Sequence, residues 1–411
     1  MTVNQQEPGF PTEIIEEGKA RALVPKLKDF AKQPSDYAPS KAPVFFNPVM
    51  ELNRDIAVLV AQVHQRRLNR KITLCEPLTG TGLRGIRYAL EIEGLKRATV
   101  ADINENAFRL AARNVQINGL SKRITVKKKE ANQILAAHSA PRKRFDYIDL
   151  DPFGSPVPFL DSAIRALRNR GMLALTATDM ASLCGVHPKA CLRKYGGRPL
   201  RTEYCHELAV RLLCGCVAGI AAKYGAGTKI VFSHRGEHYV RVYATIDYGA
   251  KNADESMENL GFVLHCFNCF HRETVKGFPR VEKTRECGEC AATLSVAGPL
   301  WIGAIADPDF CELMRAEIEH RKLKSARKIE NMLTLLENEA DCPIGYYVVD
   351  HMCDALTLPV PSIKKVVEAL KIEGFRAVQT HFTSNGVRSD VPARSLVKIL
   401  RKLAGVDSAG Q

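Results

Sequence analysis

The sequence predicts an α/β fold, a mostly parallel sheet with helices on both faces, followed by a smaller α+β domain. Three observations predict it. Strand-like and helix-like segments alternate from residue 72 to residue 178. A glycine-rich turn directly follows the first of those strands, and two Cys-x-x-Cys pairs open the C-terminal third. A length of 411 residues suits two or three domains better than a single core.

Residues 1–43 carry Pro8, Pro11, Pro25, Pro34, Pro39 and Pro43 and read as an irregular or hairpin-like lead-in. PVMELNRDIAVLVAQVHQRRL follows, with apolar residues at three- and four-residue spacing, and predicts a helix. Strands are expected at ITLCE (72–76), ATVAD (98–102), ITVKK (124–128), FDYIDL (145–150) and MLALTAT (172–178). Helices fit near 83–93, 105–117 and 157–169, and a longer one covers roughly 202–223. KIVFSH (229–234) and YVRVYATIDY (239–248) then read as an antiparallel pair closing the sheet. The main domain is expected over 44–260 and the C-terminal one over 261–411. In the latter, 309–338 is a long charged helix candidate. Helix (346–356), helix (361–374), strand (375–382), turn and helix (392–403) then suit a winged helix or a generic helical bundle.

Hydrophobic residues make up 45% and charged residues 25%, and no segment approaches the roughly 20 apolar residues of a membrane helix. Lys plus Arg total 59 against 45 Asp plus Glu, a net charge of +14. That balance favours a polyanionic partner such as nucleic acid, although a basic enzyme without one fits as well. The N-terminal stretch has the look of neither a secretion signal nor a transit peptide, so a cytoplasmic, reducing setting is expected. Thirteen cysteines in that setting point to free thiols or metal ligands.

In EPLTGTGLRG, Gly80, Gly82 and Gly85 satisfy G-x-G-x-x-G, which lets the backbone turn tightly beneath a ligand at a helix start. Asp102, ending the second strand, stands where a carboxylate accepts hydrogen bonds from ribose hydroxyls. A dinucleotide and S-adenosylmethionine both fit this pattern. Glu76 before the turn, suited to a methionine ammonium, and Arg84 within it, suited to a carboxylate, lean towards S-adenosylmethionine. Upstream, Arg54 could grip the methionine carboxylate in bidentate fashion, and Phe45 or Phe46 could close over the cofactor.

DPFG ends the fourth strand, at the edge where open parallel sheets bind ligands. An exocyclic base amine is a poor nucleophile, because its lone pair is delocalised into the ring. Hydrogen bonds from the amine to Asp151 and to the Pro152 carbonyl would hold it and raise its electron density. Phe153 offers a face on which a flipped base can stack. A turn with a core aromatic is the plainer reading of the same residues.

NPVMELNRD, TGTGLRGIRYALE, ADINENA, DLDPFGSPVPFLD, TATDM, RKYG and RTEYCHELAVRLL together resemble the tRNA guanine-26 N2-dimethyltransferase family, across roughly residues 44–300. The resemblance implies a Rossmann-like methyltransferase domain that moves one and then a second methyl from S-adenosylmethionine to N2 of guanosine 26 in tRNA. It also implies Phe45, Arg54, Arg84, Asp102, Glu130 and Ala131 around the cofactor, and Asp151, Pro152 and Phe153 at the target base. At 130–131 the chain reads Glu-Ala-Asn where the family more often has Asp-Ala-Asn. Rival readings are a zinc-containing RNA-binding protein with a vestigial methyltransferase fold, and a base-amine methyltransferase with another target nucleotide.

KACLRKYGGRPLR gathers Lys189, Arg193, Lys194, Arg198 and Arg201 without an acid, a stretch that could hold tRNA phosphates or stand merely solvated. Cys266-x2-Cys269 and Cys287-x2-Cys290 have the spacing of a four-thiolate structural zinc site, with redox pairs as the alternative. The other nine cysteines read as reduced, mostly buried thiols. Arg315, Arg321, Lys322, Lys324, Arg327 and Lys328 make a basic helix face that could track tRNA. No obligate protein partner and no membrane are expected.

Overall fold

The computed structural model describes residues 8–31, 33, 38–277 and 285–406. Pro34 and residues 1–7 of the expected lead-in lie outside the described residues. The lead-in forms a hairpin, β1 (Thr12–Glu17) against β2 (Ala20–Pro25). Ala20, Ala22 and Val24 face inward from it and join the main core.

Seven strands form the central sheet: β3 (Ile72–Glu76), β4 (Leu95–Asp102), β5 (Ile124–Lys128), β6 (Phe145–Leu150), β7 (Leu167–Ala177), β8 (Ala226–Arg235) and β9 (Val240–Tyr248). Their order is β5-β4-β3-β6-β7-β9-β8. The first five are parallel; β9 runs antiparallel to both β7 and β8. The expected closing pair is therefore present, with β9 inserted between β7 and β8. Strand order reverses between β3 and β6, so the carboxyl ends of these two strands flank the crevice where ligands bind in doubly wound sheets. Apolar side chains pack on both faces: Leu160, Ile164 and Leu208 on one, Ile56, Leu59 and Ile86 on the other.

Several boundaries differ from expectation for identifiable reasons. The helix expected over 157–169 is Val157–Ala166, because Leu167 pairs with Phe145 and begins β7. The 309–338 helix is two, Pro308–Glu319 and Ala326–Glu339. At the break, Ser325 donates its N–H to Asp55 at 3.2 Å, while Arg321 donates to Glu317 at 2.6 Å. The pair folds back so that Phe310, Met314, Ile329 and Leu333 join the core beneath the helix Glu51–Leu68.

The helix Cys205–Ala222 also corrects an expectation, since by length and composition it could cross a membrane. It carries the buried charges Glu207 and Arg211, and Leu208, Leu212 and Val217 pack in the core. Against it lies β12 (Ser295–Trp301) of a three-stranded sheet with β10 (Leu260–His265) and β11 (Arg272–Lys276). The chain ends in β13 (Tyr347–Val348), helices Val349–Leu356 and Ile363–Ile372, β14 (Ala377–Gln379), β15 (Gly386–Ser389) and helix Ala393–Leu403. The first of these helices begins three residues later than predicted because Tyr347 and Val348 pair with Val387 and Gly386. The expected strand 375–382 is only three residues long, and β13, β15 and β14 form a small sheet.

Candidate active site

The glycine turn connects β3 to the helix Leu83–Glu91. Gly82 adopts φ 77°, and a Cβ on it would lie 3.0 Å from that of Ala111. Gly85 lies so close to β4 that a Cβ would meet Val100 at 2.6 Å, which makes it the residue that lets helix and sheet approach. Asp102 Oδ2 accepts the Gly80 N–H at 2.9 Å and its Oδ1 that of Asn104, so one carboxylate ties the turn to the tip of β4. Glu130 caps the helix Ala131–Ala137, accepting the Gln133 N–H at 2.9 Å, with Ala131 buried behind it. The longer acid at 130 thus fills the capping position on its own terms.

Beneath the turn lies a buried charge network. Arg84 donates to Asn53 Oδ1 at 2.8 Å and forms a short contact with Asp151 Oδ2; its Nε lies 3.8 Å from both Glu76 and Asp149. Glu76 accepts from Thr79 Oγ1 at 2.7 Å and from the Gly85 N–H at 3.0 Å. Burial pushes its carboxyl up to about 8, against the pull of Arg84 and with the help of Asp149 and Asp151. Arg241, on β9, donates to Asp149 at 2.7 Å and to Thr176 at 2.6 Å. Burial acts to raise the Asp151 carboxyl, but Arg84 and Arg241 more than offset it, so Asp151 stays below its ordinary value and ionised.

Arg54 stands apart from Arg84. Its guanidinium donates to both oxygens of Glu17 in the N-terminal hairpin, at 2.6 and 2.5 Å, and to the Asn47 carbonyl. It also lies 5.7 Å from the Phe46 ring centroid.

At the tip of β6, Pro152 is buried and Phe153 is 73% exposed. The Phe153 ring meets Phe45 edge-on, with centroids 4.7 Å apart. An exposed phenyl ring is no core aromatic, so the plainer reading of DPFG does not hold. Gly154 and Thr178 exchange two hydrogen bonds, at 2.7 and 2.9 Å, and lock this turn to the tip of β7. Next in the chain, Asp179 accepts from Tyr195 Oη and Lys194 Nζ. The basic stretch, expected as a loop, therefore begins as a helix, Pro188–Tyr195, pinned beside the tip. Lys189, Arg193, Lys194, Arg198 and Arg201 are all exposed. In the distal basic set, Arg315 pairs with Glu337, Arg321 with Glu317 and Lys324 with Glu51.

The four cysteine sulfurs of Cys266, Cys269, Cys287 and Cys290 lie within 4.8 Å of one another. The two pairs mirror each other. The N–H groups of Phe270 and Ala291 bond back to the carbonyls of Cys266 and Cys287, and both residues adopt positive φ. Four converging thiols of this kind fit tetrahedral zinc. His265 and His271 bond instead to Tyr204 and Glu289.

Several members of the site escaped sequence reasoning: Asn53, Asp149, Thr176, Arg241 and Asp179. The one available signal was a lone arginine inside the apolar strand YVRVYATIDY, which a central strand tolerates only when a buried acid meets it.

Residues 18–401 match the family model described as N2,N2-dimethylguanosine tRNA methyltransferase. The chain belongs to this family. It is 41% identical over 389 residues to a tRNA (guanine(26)-N(2))-dimethyltransferase of Methanothermobacter thermautotrophicus, covering 95% of this chain and 98% of the relative. A tRNA (guanine(26)-N(2)/guanine(27)-N(2))-dimethyltransferase of Aquifex aeolicus is 33% identical over 398 residues, covering 95% and 96%. Among solved structures, Trm1 from Pyrococcus horikoshii in complex with S-adenosyl-L-methionine matches with a TM-score of 0.82 at 33% identity, covering 94% of this chain and 99% of that one. The expected family, Rossmann-like fold and class of enzyme are thereby borne out.

Proposed function

We propose that the protein transfers methyl groups from S-adenosylmethionine to the exocyclic N2 of guanosine 26 of tRNA, giving N2-methyl- and then N2,N2-dimethylguanosine. The observation that carries this reading is the ionised Asp151 beside an exposed Phe153, directly across the crevice from the glycine turn.

The residues present suit the cofactor. Asn53 Nδ2 is a fully buried donor that faces the Tyr239 hydroxyl beside the Arg84 guanidinium, and Asn53 and Arg84 together can meet a methionine carboxylate. Glu76 suits the ammonium, Asp102 the ribose, and Gly80, Gly82, Glu130 and Ala131 line the nucleoside side. Arg54 would act through the placement of the NPVMELNRD segment or by exchanging Glu17 for the cofactor. When bound, S-adenosylmethionine supplies an electrophilic sulfonium methyl.

Phe153 stacks the flipped base. A carboxylate has about four lone-pair sites, so Asp151 can keep Arg84 and still accept one N2–H while the Pro152 carbonyl accepts the other. The lone pair of N2 forms the new N–C bond as the carbon–sulfur bond breaks, and Asp151 takes up the proton that N2 then sheds. After one transfer a single N–H remains, which Asp151 alone can hold, so the same geometry serves the second methyl. Catalysis is positional and electrostatic.

Lys189, Arg193, Lys194, Arg198 and Arg201 flank the site and suit tRNA phosphates, with residues 261–411 as the wider tRNA grip around a structural zinc. None of the thirteen cysteines is in a disulfide, which suits a reducing cytoplasm. The test is incubation with unmodified tRNA and labelled cofactor, then nuclease digestion and mass spectrometry. Dimethylguanosine at position 26 supports the reading; methyl groups only on adenine or only on protein overturn it.

A further inference from the structure

Cys184, Cys205 and His206 form a second set of metal-type donors, separate from the four-cysteine cluster. Two sulfurs and a ring nitrogen lie within 4.8 Å of one another, and all three residues are half-buried. They are held from two anchored places. Cys184 closes the short helix Met180–Leu183, its N–H bonded to the Met180 carbonyl at 2.7 Å. Cys205 and His206 begin the eighteen-residue helix Cys205–Ala222. Cys184 Sγ lies 3.7 Å from the Cys205 carbonyl, bringing the two segments into contact.

We propose that Cys184, Cys205 and His206 bind a thiophilic divalent cation of the zinc class, which clasps the two ends of the segment carrying the basic residues. Two thiolates and a neutral imidazole balance a divalent charge, and sulfur donors select zinc-like ions over magnesium or calcium. Donors around tetrahedral zinc stand roughly 3.5–4 Å apart, so the present spread closes by small side-chain adjustments. Partial exposure leaves the fourth position to water. The ion ties together the start and end of a segment that includes Lys189, Arg193, Lys194, Arg198 and Arg201. From just before that segment, Asp179 contacts Lys194 and Tyr195 and forms a further tether. The role is thus to hold the basic helix at a fixed place beside the tip of β6.

The test is metal counting on the full-length protein after exhaustive dialysis into metal-free buffer. The wild type is expected to retain about two zinc ions per chain, and Cys205→Ala and Cys287→Ser about one each. Should either variant fail to fold, X-ray absorption on the wild type decides: sites with four and two sulfurs average about three per zinc. One zinc per chain with four sulfurs overturns the proposal. So does one zinc per chain with Cys184 and Cys205 recovered as a disulfide in non-reducing peptide mapping.

Discussion

Replacing Arg388 with Met should destabilise the joint between the C-terminal module and the methyltransferase core. Arg388, on β15, donates to both oxygens of Glu207 at 3.0 and 2.7 Å, and its Nε lies 2.8 Å from Glu339. Glu207 sits fully buried in the first turn of the helix Cys205–Ala222. Burial raises its carboxyl, but Arg388 and Arg211 reverse the effect and hold it down at about 2, against 4.5 when unfolded. A depressed folded value means that the stabilisation is fully present above 4.5 and is lost as pH falls from there towards about 2. At roughly 1.4 kcal/mol per tenfold, that gap is worth about 3 kcal/mol. Arg211 and the Gly345 N–H still reach Glu207 in the variant. Those remaining contacts retain part of that gap, so the expected loss is about 2 kcal/mol, within the range for a lost hydrogen bond to a charged group. Urea unfolding of the wild type, Arg388→Met, Glu207→Gln and the double variant supplies a mutant cycle at pH 7, repeated at pH 3.5. The singles should be strongly coupled at neutral pH, and the Arg388→Met deficit should shrink in acid. Additive effects, or a single-variant loss below about 1 kcal/mol, would refute the reasoning.

Further outcomes follow from the site. Glu76, raised to about 8, holds its proton at pH 7, and pairing with a methionine ammonium should expel it. Calorimetric heats of S-adenosylmethionine binding should then vary with buffer ionisation enthalpy, and Glu76→Gln should abolish that dependence. Phe153→Ala should leave thermal stability unchanged, since the ring is exposed. A lost stacking contact of roughly 1–3 kcal/mol should lower kcat/KM for tRNA by about 5- to 150-fold, with cofactor affinity intact. Removing two exposed arginines, Arg193→Ala with Arg198→Ala, should flatten the salt dependence of tRNA binding by about two phosphate contacts. An unchanged log–log slope would remove them from the interface. Cys287→Ser should release zinc and lower the melting temperature.

The parallel run from β3 to β7 was legible because strands buried on both faces read as apolar runs, and FDYIDL and ITLCE matched their observed bounds residue for residue. The 309–338 helix misled because its helical periodicity persists through a break that distant partners on the helix Glu51–Leu68 specify, Asp55 for Ser325 and Glu51 for Lys324. Among the candidate site residues, Asp102, Glu76 and DPFG drew attention by their place at strand ends. Arg54 was identified as a site residue, yet its partner Glu17 lies in a hairpin with no motif of its own. Asp149 and Arg241 stayed hidden because a buried ion pair looks, in sequence, like two isolated charges in apolar strands.

The central claim is that Asp151 holds the guanine amine for transfer. It is tested most directly by comparing wild type with Asp151→Asn, measuring single-turnover methylation of unmodified tRNA alongside S-adenosylmethionine affinity. The Asn variant keeps size but loses the charge that accepts the amine proton. Transfer should fall by at least about 100-fold, the scale of a lost general base, with cofactor affinity within a few-fold of wild type. Near-normal methylation of guanosine 26 by Asp151→Asn would contradict the account.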